Sequence, residues 1–384
     1  MNGAEEKFKI AIIGTRGVPA RYGGFETCAE ELGKRLAHHG HEVVVYCRRS
    51  YYEKRLKSYE GMNLVYVPCI NHKALETFSH TLFSLVHALK VPYDLILIFN
   101  VANGPLLLLP KLAGKPVVLN LDGLEWERGK WSFLGKTFYR LAARLAVRLA
   151  PALVADSRAI QAFYRQKFGK ETEYIPYGAA IEKSQSPSLL SPFNLVPRNY
   201  FLQITRFEPE NNPLLTVKAF EKLRTNKKLV LVGGAKYPSK YSRELYNTKD
   251  QRIIFPGFIY DKNIIRELLT NCFAYIHGNE AGGTNPALLQ AMGCGCFVVA
   301  RDVIFNREVL REAGIYYKKN ADDLLVKLEW ALENEAMLDK YRARAQQIVA
   351  TDYQWDAVTA SYESLFKRLK VLRGKYQGNE ARLR

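Results

Sequence analysis

Two glycine-rich turns are the parts of this 384-residue chain best suited to chemistry. In GGTNPALLQAM, residues 282–292, Gly282 and Gly283 stand ahead of Thr284, Asn285, Pro286 and an apolar run. Proline is tolerated in a first helical turn, where its missing N–H would have no partner. Thr and Asn are good N-cap residues, and glycines let a ligand approach the main chain. A helix opened this way offers free N–H groups and a positive dipole end, which suits an anion. An ordinary capped helix carries the same letters, so the turn alone does not imply a ligand. In GTRGVPARYGGFE, residues 14–26, Gly14, Gly17, Gly23 and Gly24 flank a loop that opens a helix near Phe25. This is not the GxGxxG fingerprint, and Tyr46-Cys47-Arg48 stands where a dinucleotide fold would place an acid. The loop still suits a phosphate, and Arg16 and Arg21 add positive charge.

An anionic ligand accords with the formal net charge of +18. Nucleic acid, an anionic membrane face and anionic small molecules each fit such a surplus. The last stretch, LFKRLKVLRGKYQGNEARLR, carries seven basic residues and one acidic, among them Lys367, Arg368, Lys370, Arg373 and Lys375. A second concentration recurs every four residues at Lys136, Arg140, Arg144 and Arg148, beside Leu134, Phe138, Leu141 and Leu145. That pattern is a basic amphipathic helix, readable either as a membrane contact or as the solvated face of a core helix. The 48% hydrophobic and 24% charged composition describes a folded chain. The acidic start of MNGAEEKFKIAIIG is no secretory signal, and VPYDLILIFNVANGPLLLLP is too interrupted to span a bilayer. The six scattered cysteines, 28, 47, 69, 272, 294 and 296, read as reduced thiols. No metal is expected: His38, His39 and His41 read as surface residues, Asp322-Asp323 as a helix start and His277 as a packed histidine.

These turns sit in an alternation of short β-branched runs and helical patterns. KIAIIG, HEVVVYC, NLVYVPCI, DLILIFN, PVVLNLDG and LVADS read as strands of one parallel sheet covered by helices. The pattern restarts with YFLQITR, KLVLVGG, RIIFPGF, CFAYIHG and CFVVARD. Between them, AAIEKSQSPSLLSPFNLVPRN has no periodicity and reads as a linker. The expectation is an α/β chain of two Rossmann-like, doubly wound domains, residues 1–185 and 197–356, facing across a cleft with ligands at the carboxyl ends of strands.

The segments GTRGVPARYGGFE, NLDGLEWERGKWS, ADSRAI, YIPYGA, TRFEPENN and HGNEAGGTNPALLQAMGCG together resemble glycosyltransferase family four. The branch they most resemble is that of bacterial rhamnosyltransferase-like polysaccharide enzymes, and the likeness runs from Lys9 to the Tyr-Gln-Trp-Asp segment at 353–356. The resemblance implies a GT-B architecture with an acceptor-side N-terminal domain, a nucleotide-sugar donor side in the C-terminal domain, and residues 357–384 packing back on the first. It also implies retention of anomeric configuration, no essential metal, and no cofactor beyond the nucleotide-diphospho-sugar as co-substrate.

Carried onto this chain, the GGTNP turn becomes the diphosphate cradle, through Gly282, Gly283, Thr284 and Asn285. Arg206 becomes the arginine that stabilises the leaving group. The family commonly has a lysine five positions later; here Asn211 offers dipoles without charge, so Arg16, Gly17, Gly23 and Gly24 are expected to help. Most members set two glutamates across the donor loop. This chain has Glu280 and, ten positions on, Gln290, which is expected to bond the donor ribose through its amide. Glu280 is either a sugar contact or a loop carboxylate. Asp122 falls where many relatives carry a histidine near the sugar; it would orient a hydroxyl or accept the acceptor proton, unless it only starts the Asp-Gly turn. Glu125, Trp126, Arg128 and Trp131 would form an acceptor lip.

The resulting reading is a retaining glycosyltransferase using dTDP-rhamnose, or alternatively a UDP-hexose, to extend a saccharide or lipid-linked oligosaccharide in cell-surface polysaccharide assembly. It would work in the cytoplasm, peripherally on the anionic inner face of the membrane. A nucleotide-sugar epimerase would need a carboxylate pair that Gln290 breaks, and no motif for nucleic acid is present.

Overall fold

The computed structural model describes residues 6–21, 23–72, 75–121, 123–127, 131–235 and 239–382, with side chains of the last helix described as far as Val371. The chain forms two compact units, residues 1–177 with 355–384, and residues 178–354. Each is a parallel sheet with helical connections.

The first unit holds β1 (Lys9–Ile13), β2 (Glu42–Arg48), β3 (Ser58–Tyr59), β4 (Met62–Val67), β5 (Leu95–Phe99), β6 (Val117–Asn120), β7 (Ala152–Ala155) and β8 (Glu173–Tyr174). Their order is β3-β4-β2-β1-β5-β6-β7-β8, parallel except for the short β3–β4 hairpin. Ile10 pairs with Val43 on one side and Leu95 on the other, so β1 lies at the centre. Its residues 10–13 are fully buried, as a strand covered on both faces must be. The order reverses between β1 and β5, and the loop after β1 stands at that switch point.

The second unit holds β9 (Tyr200–Arg206), β10 (Lys228–Gly234), β11 (Ile253–Gly257), β12 (Ala274–His277), β13 (Val298–Arg301) and β14 (Gly314–Tyr317), in the order β11-β10-β9-β12-β13-β14. Phe201, Phe220, Phe273 and Phe297 lie in a core that runs out to Leu324 and Leu328 of the Ala321–Glu333 helix. Here the order reverses between β9 and β12. The hairpin strand β3, the edge strands β8 and β14 and the helix Glu76–Ala88 were not among the elements expected from the pattern.

The Pro- and Ser-rich stretch 179–199 lies in the second unit. Buried Glu267 holds it, accepting from the Ser184 hydroxyl and from the main-chain N–H groups of Gln185 and Ser186 at 2.5, 2.7 and 3.0 Å. The last helix, Trp355–Arg382, lies in the first unit. Tyr362 accepts from Asn120 Nδ2 at the end of β6, and Arg35 pairs with Asp356. His41, read from its turn as a surface residue, is instead buried: its Nδ1 accepts the Phe8 N–H at 3.0 Å, and its Nε2 meets Glu363 Oε1, which His39 also reaches. Although burial disfavours the charge, His39 and His41 hold the Glu363 carboxyl below its usual range. The tail cations are likewise partly committed: Arg368 pairs with Glu173 and Lys370 with Glu6. The side chains of Arg373 and Lys375 lie outside the described residues.

Candidate active site

At the switch point of the second sheet, the loops after β9 and β12 are tied together. The Glu280 N–H donates to the Glu210 carbonyl at 3.0 Å, and Asn212 Nδ2 to the Gly278 carbonyl at 2.8 Å. Gly278 is required for this approach, because a Cβ there would lie 2.2 Å from the Asn211 carbonyl oxygen. The sheet topology thus brings Arg206, the last residue of β9, and the 282–285 turn beyond β12 to the same edge. That edge is where open α/β sheets bind ligands.

Arg206 is half-buried, and its guanidinium makes no ion pair or hydrogen bond among the described residues. Its main chain is fixed instead, the carbonyl accepting from the Glu208 N–H at 2.8 Å and from Asn211 Nδ2 at 2.9 Å. Asn211 is buried. Its amide donor is turned onto its own loop, so it positions Arg206 rather than presenting dipoles to an anion, as had been expected of it.

Gly282 adopts φ +137°, a conformation L side chains rarely adopt, and nothing stands within 4 Å of where a side chain would begin. Thr284 is buried, and Asn285 is the N-cap of the helix Pro286–Gly293, its Oδ1 accepting the Ala287 N–H at 3.0 Å. Gln290 sits half-buried in the second turn of that helix. Glu280 is held between Arg301 Nε at 3.0 Å and Lys319 Nζ at 2.7 Å. Partial burial opposes its charge, but Lys319, Asn212 and Arg301 keep its pKa lowered. The ion triad engages each carboxylate oxygen once, which leaves acceptor capacity on both and both readings of Glu280 open. Arg301 and Lys319 were missed; Arg301 ends β13, and the strand-end rule alone would have flagged it. His277 is buried at the end of β12, and burial pushes its pKa down to about 3, so it is neutral.

The N-terminal glycine loop differs from its expectation. Helix Gly24–His38 brings its own carboxylates to it. Buried Glu26 accepts the Arg16 N–H at 2.8 Å and lies 3.6 Å from the Arg16 guanidinium, which also donates to the Tyr51 hydroxyl. Glu30, one turn on, accepts the Ala20 N–H at 2.5 Å. Of the expected cradle, Arg16 is thus engaged by an internal carboxylate, and the Gly17 N–H donates to Thr15 Oγ1 at 3.1 Å. Gly17, at φ +112°, is needed because a Cβ would strike Cys47. Asp122 and Arg128 lie outside the described residues. Of the remaining lip, Glu125 and Trp126 are buried, and Trp131 Nε1 donates to Glu125 at 3.2 Å. Among the described residues, no group of three or more His, Cys, Asp or Glu is placed to hold a metal ion. Among the same residues, no helix is long and apolar enough to cross a membrane.

Residues 192–348 match the family described as glycosyl transferases group 1, and residues 7–180 match a domain of unknown function (DUF1972). The chain is similar to an uncharacterized glycosyltransferase, MJ1069, of Methanocaldococcus jannaschii, at 23% identity over 94% of this chain and 99% of the relative. Among solved structures it is similar to Anabaena Alr3699/HepE in complex with UDP-glucose, with TM-score 0.77, 19% identity and coverage of 93% and 99%. It is also similar to WaaG, a glycosyltransferase involved in lipopolysaccharide biosynthesis, with TM-score 0.73, 17% identity and coverage of 93% and 99%. The group 1 match falls on the unit that carries Arg206 and the 282–285 turn. The match to group 1 glycosyl transferases thus lies in the second unit, and the chain is a glycosyltransferase with two Rossmann-like domains, as in the GT-B fold.

Proposed function

We propose that this glycosyltransferase takes its sugar from a nucleotide diphosphate, with retention of configuration, and passes it to a saccharide acceptor of cell-surface polysaccharide. The observation that carries this reading is Arg206: a guanidinium with no internal partner, set at the switch-point edge beside a helix N-terminus and the open turn at Gly282. As the bond between the sugar C1 and the diphosphate oxygen breaks, negative charge gathers on the leaving phosphate. Arg206 and the main-chain N–H groups before Pro286 are the donors that meet it. The acceptor oxygen forms its bond to C1 on the same face, and its proton passes to the departing phosphate. Gln290 bonds the ribose hydroxyls, and no metal or other cofactor takes part.

The donor favoured by the sequence branch is dTDP-rhamnose. A UDP-hexose is the second reading, favoured by the UDP-glucose complex of the HepE structure. Calorimetric titration with dTDP-rhamnose, UDP-glucose and other nucleotide sugars, followed by transfer assays and anomeric assignment of the product, tests both. Inverted product would defeat the retaining mechanism, and binding of no nucleotide sugar would defeat the whole reading.

The acceptor is read as lipid-linked and the enzyme as peripheral on the anionic cytoplasmic face of the membrane. Support comes from the helix Phe133–Leu149, where Arg140, Arg144 and Arg148 are exposed and, like Lys136, unpaired among the described residues. Phe133 and Leu134 are each 78% exposed at its start. Each basic residue near an anionic surface contributes about 1 kcal/mol.

A further inference from the structure

The helix Glu76–Ala88 of the first unit is turned inside out. Its polar residues Glu76, Ser79, His80, Thr81 and Ser84 are buried. Apolar Leu75, Phe83 and Val86 stand 46%, 41% and 49% exposed, eight and then three positions apart, a spacing that sets them on one face with half-buried Leu82 beside them. A helix on a water-facing surface shows the opposite pattern. Hydrogen bonds fix the rotation: Ser79 Oγ accepts the Ile70 N–H at 2.9 Å, and Thr77 Oγ1 accepts from Arg48 Nη2 at 2.9 Å. Turning the apolar side inward would break both. The stripe continues onto the helix Phe133–Leu149, where Phe138 and Leu141 are exposed. Phe78 meets Phe138 with ring centroids 6.2 Å apart, and the turn Val101–Leu107 packs on both helices. Residues 77–93, 101–121 and 128–155 hold no Asp or Glu, while Lys90, Lys111, Arg140 and Arg144 are exposed. These segments thus present apolar and cationic groups and no carboxylate.

From this inversion we infer that the helix Glu76–Ala88 is a membrane-penetrating element, whose exposed stripe enters the acyl region of an anionic bilayer. A helix lying in the interface plane sets its apolar face about 5–10 Å into the boundary between headgroups and acyl chains. Here acyl chains take Leu75, Phe83 and Val86, and anionic headgroups meet the cations of the neighbouring segments. The polar face needs no water, because it is already packed on the protein. Charge decides against a second copy of the chain as the occupant: face to face, two cationic surfaces free of carboxylates would repel. The inference rests on the reading of the enzyme as peripheral on a membrane. It adds an apolar component, carried by a helix that reading does not use, which salt does not screen.

The test uses the full-length protein and vesicles of phosphatidylcholine with phosphatidylglycerol. Wild-type protein should still sediment with them in about 1 M salt, where the Debye length is about 3 Å and the cations contribute little. Phe83→Trp should be quenched by lipids brominated on the acyl chains, beyond the quenching of the four native tryptophans. Phe83→Ser combined with Val86→Ser should weaken binding in high salt at least about tenfold, because two apolar side chains no longer leave water. Both positions are exposed, so this variant should melt as wild type does. Vesicle binding at low salt with no added quenching of Phe83→Trp would overturn the penetrating helix and spare the membrane reading. Binding to no vesicle at any salt would overturn both. A wild-type dimer in solution that the double serine variant dissociates would assign the stripe to a second copy and overturn the inference.

Discussion

Replacing Arg206 by alanine separates leaving-group catalysis from folding, because the side chain and the main chain of this residue do different things. The carbonyl is held by Glu208 and Asn211, and both hydrogen bonds survive the substitution. The guanidinium has no internal partner, so its removal orphans no buried group. Loss of a half-buried side chain of this kind changes stability by about 1 kcal/mol or less. In the transition state the same guanidinium faces a diphosphate gaining charge, where losing one preorganised donor costs about 10²–10³ in kcat, or roughly 2.7–4 kcal/mol. The expected outcome is an enzyme with wild-type melting behaviour, near-wild-type nucleotide binding within about tenfold, and kcat lowered at least a hundredfold. Arg206→Lys should recover part of the rate, since it keeps the charge and loses the fork. Steady-state transfer kinetics at saturating donor, with calorimetric melting in parallel, decide the matter. A kcat for Arg206→Ala within about threefold of wild type would remove the residue from the mechanism and with it the reasoning from its unpaired state.

Asn211→Ala should cost about 1 kcal/mol of stability, read as urea midpoint, and should lower kcat less than Arg206→Ala does, since it only frees the loop that places Arg206. Gln290→Ala should weaken donor binding by about 1 kcal/mol in calorimetry, whereas Gln290→Glu should stay within about tenfold of wild type; identical affinity for Gln290→Ala and wild type would place the amide outside the site. Transfer should persist in excess chelator; loss of activity with rescue by magnesium or manganese would refute metal independence. Glu280 has a lowered pKa, so the stability it contributes is fully present above its unfolded value of 4.5 and is lost as pH falls through the lower folded value. The melting temperature of Glu280→Gln should therefore lie below wild type at neutral pH, and the two should converge once the pH falls below the lowered folded value; a difference that persists at still lower pH would mean the Arg301–Glu280–Lys319 triad is not its source.

The sequence by itself determined what depends on neighbours along the chain. Runs such as KIAII and EVVVYCR had to be buried parallel strands, because β-branched residues without alternation fit only a sheet covered on both faces. Asn285 and Pro286 favoured the start of a helix, because a short acceptor side chain caps its first N–H groups and a missing N–H costs nothing in its first turn. The short edge strands β8 and β14 escaped, as two- and four-residue elements carry too little pattern. Only the tertiary structure decided which groups these turns would face. Nothing near Gly17 or Gly24 in the pattern of glycines said that Glu26 would accept the Arg16 N–H and lie beside its guanidinium. Asn211 looked like a donor for an anion until the fold turned its amide onto the Arg206 carbonyl. Glu280 finds Arg301 and Lys319 at separations of 21 and 39 residues, and His39 finds Glu363 at 324. Such pairings are fixed by strand order and by where the last helix packs, so they lie beyond the few residues over which helix caps, turns and side-chain periodicity can signal.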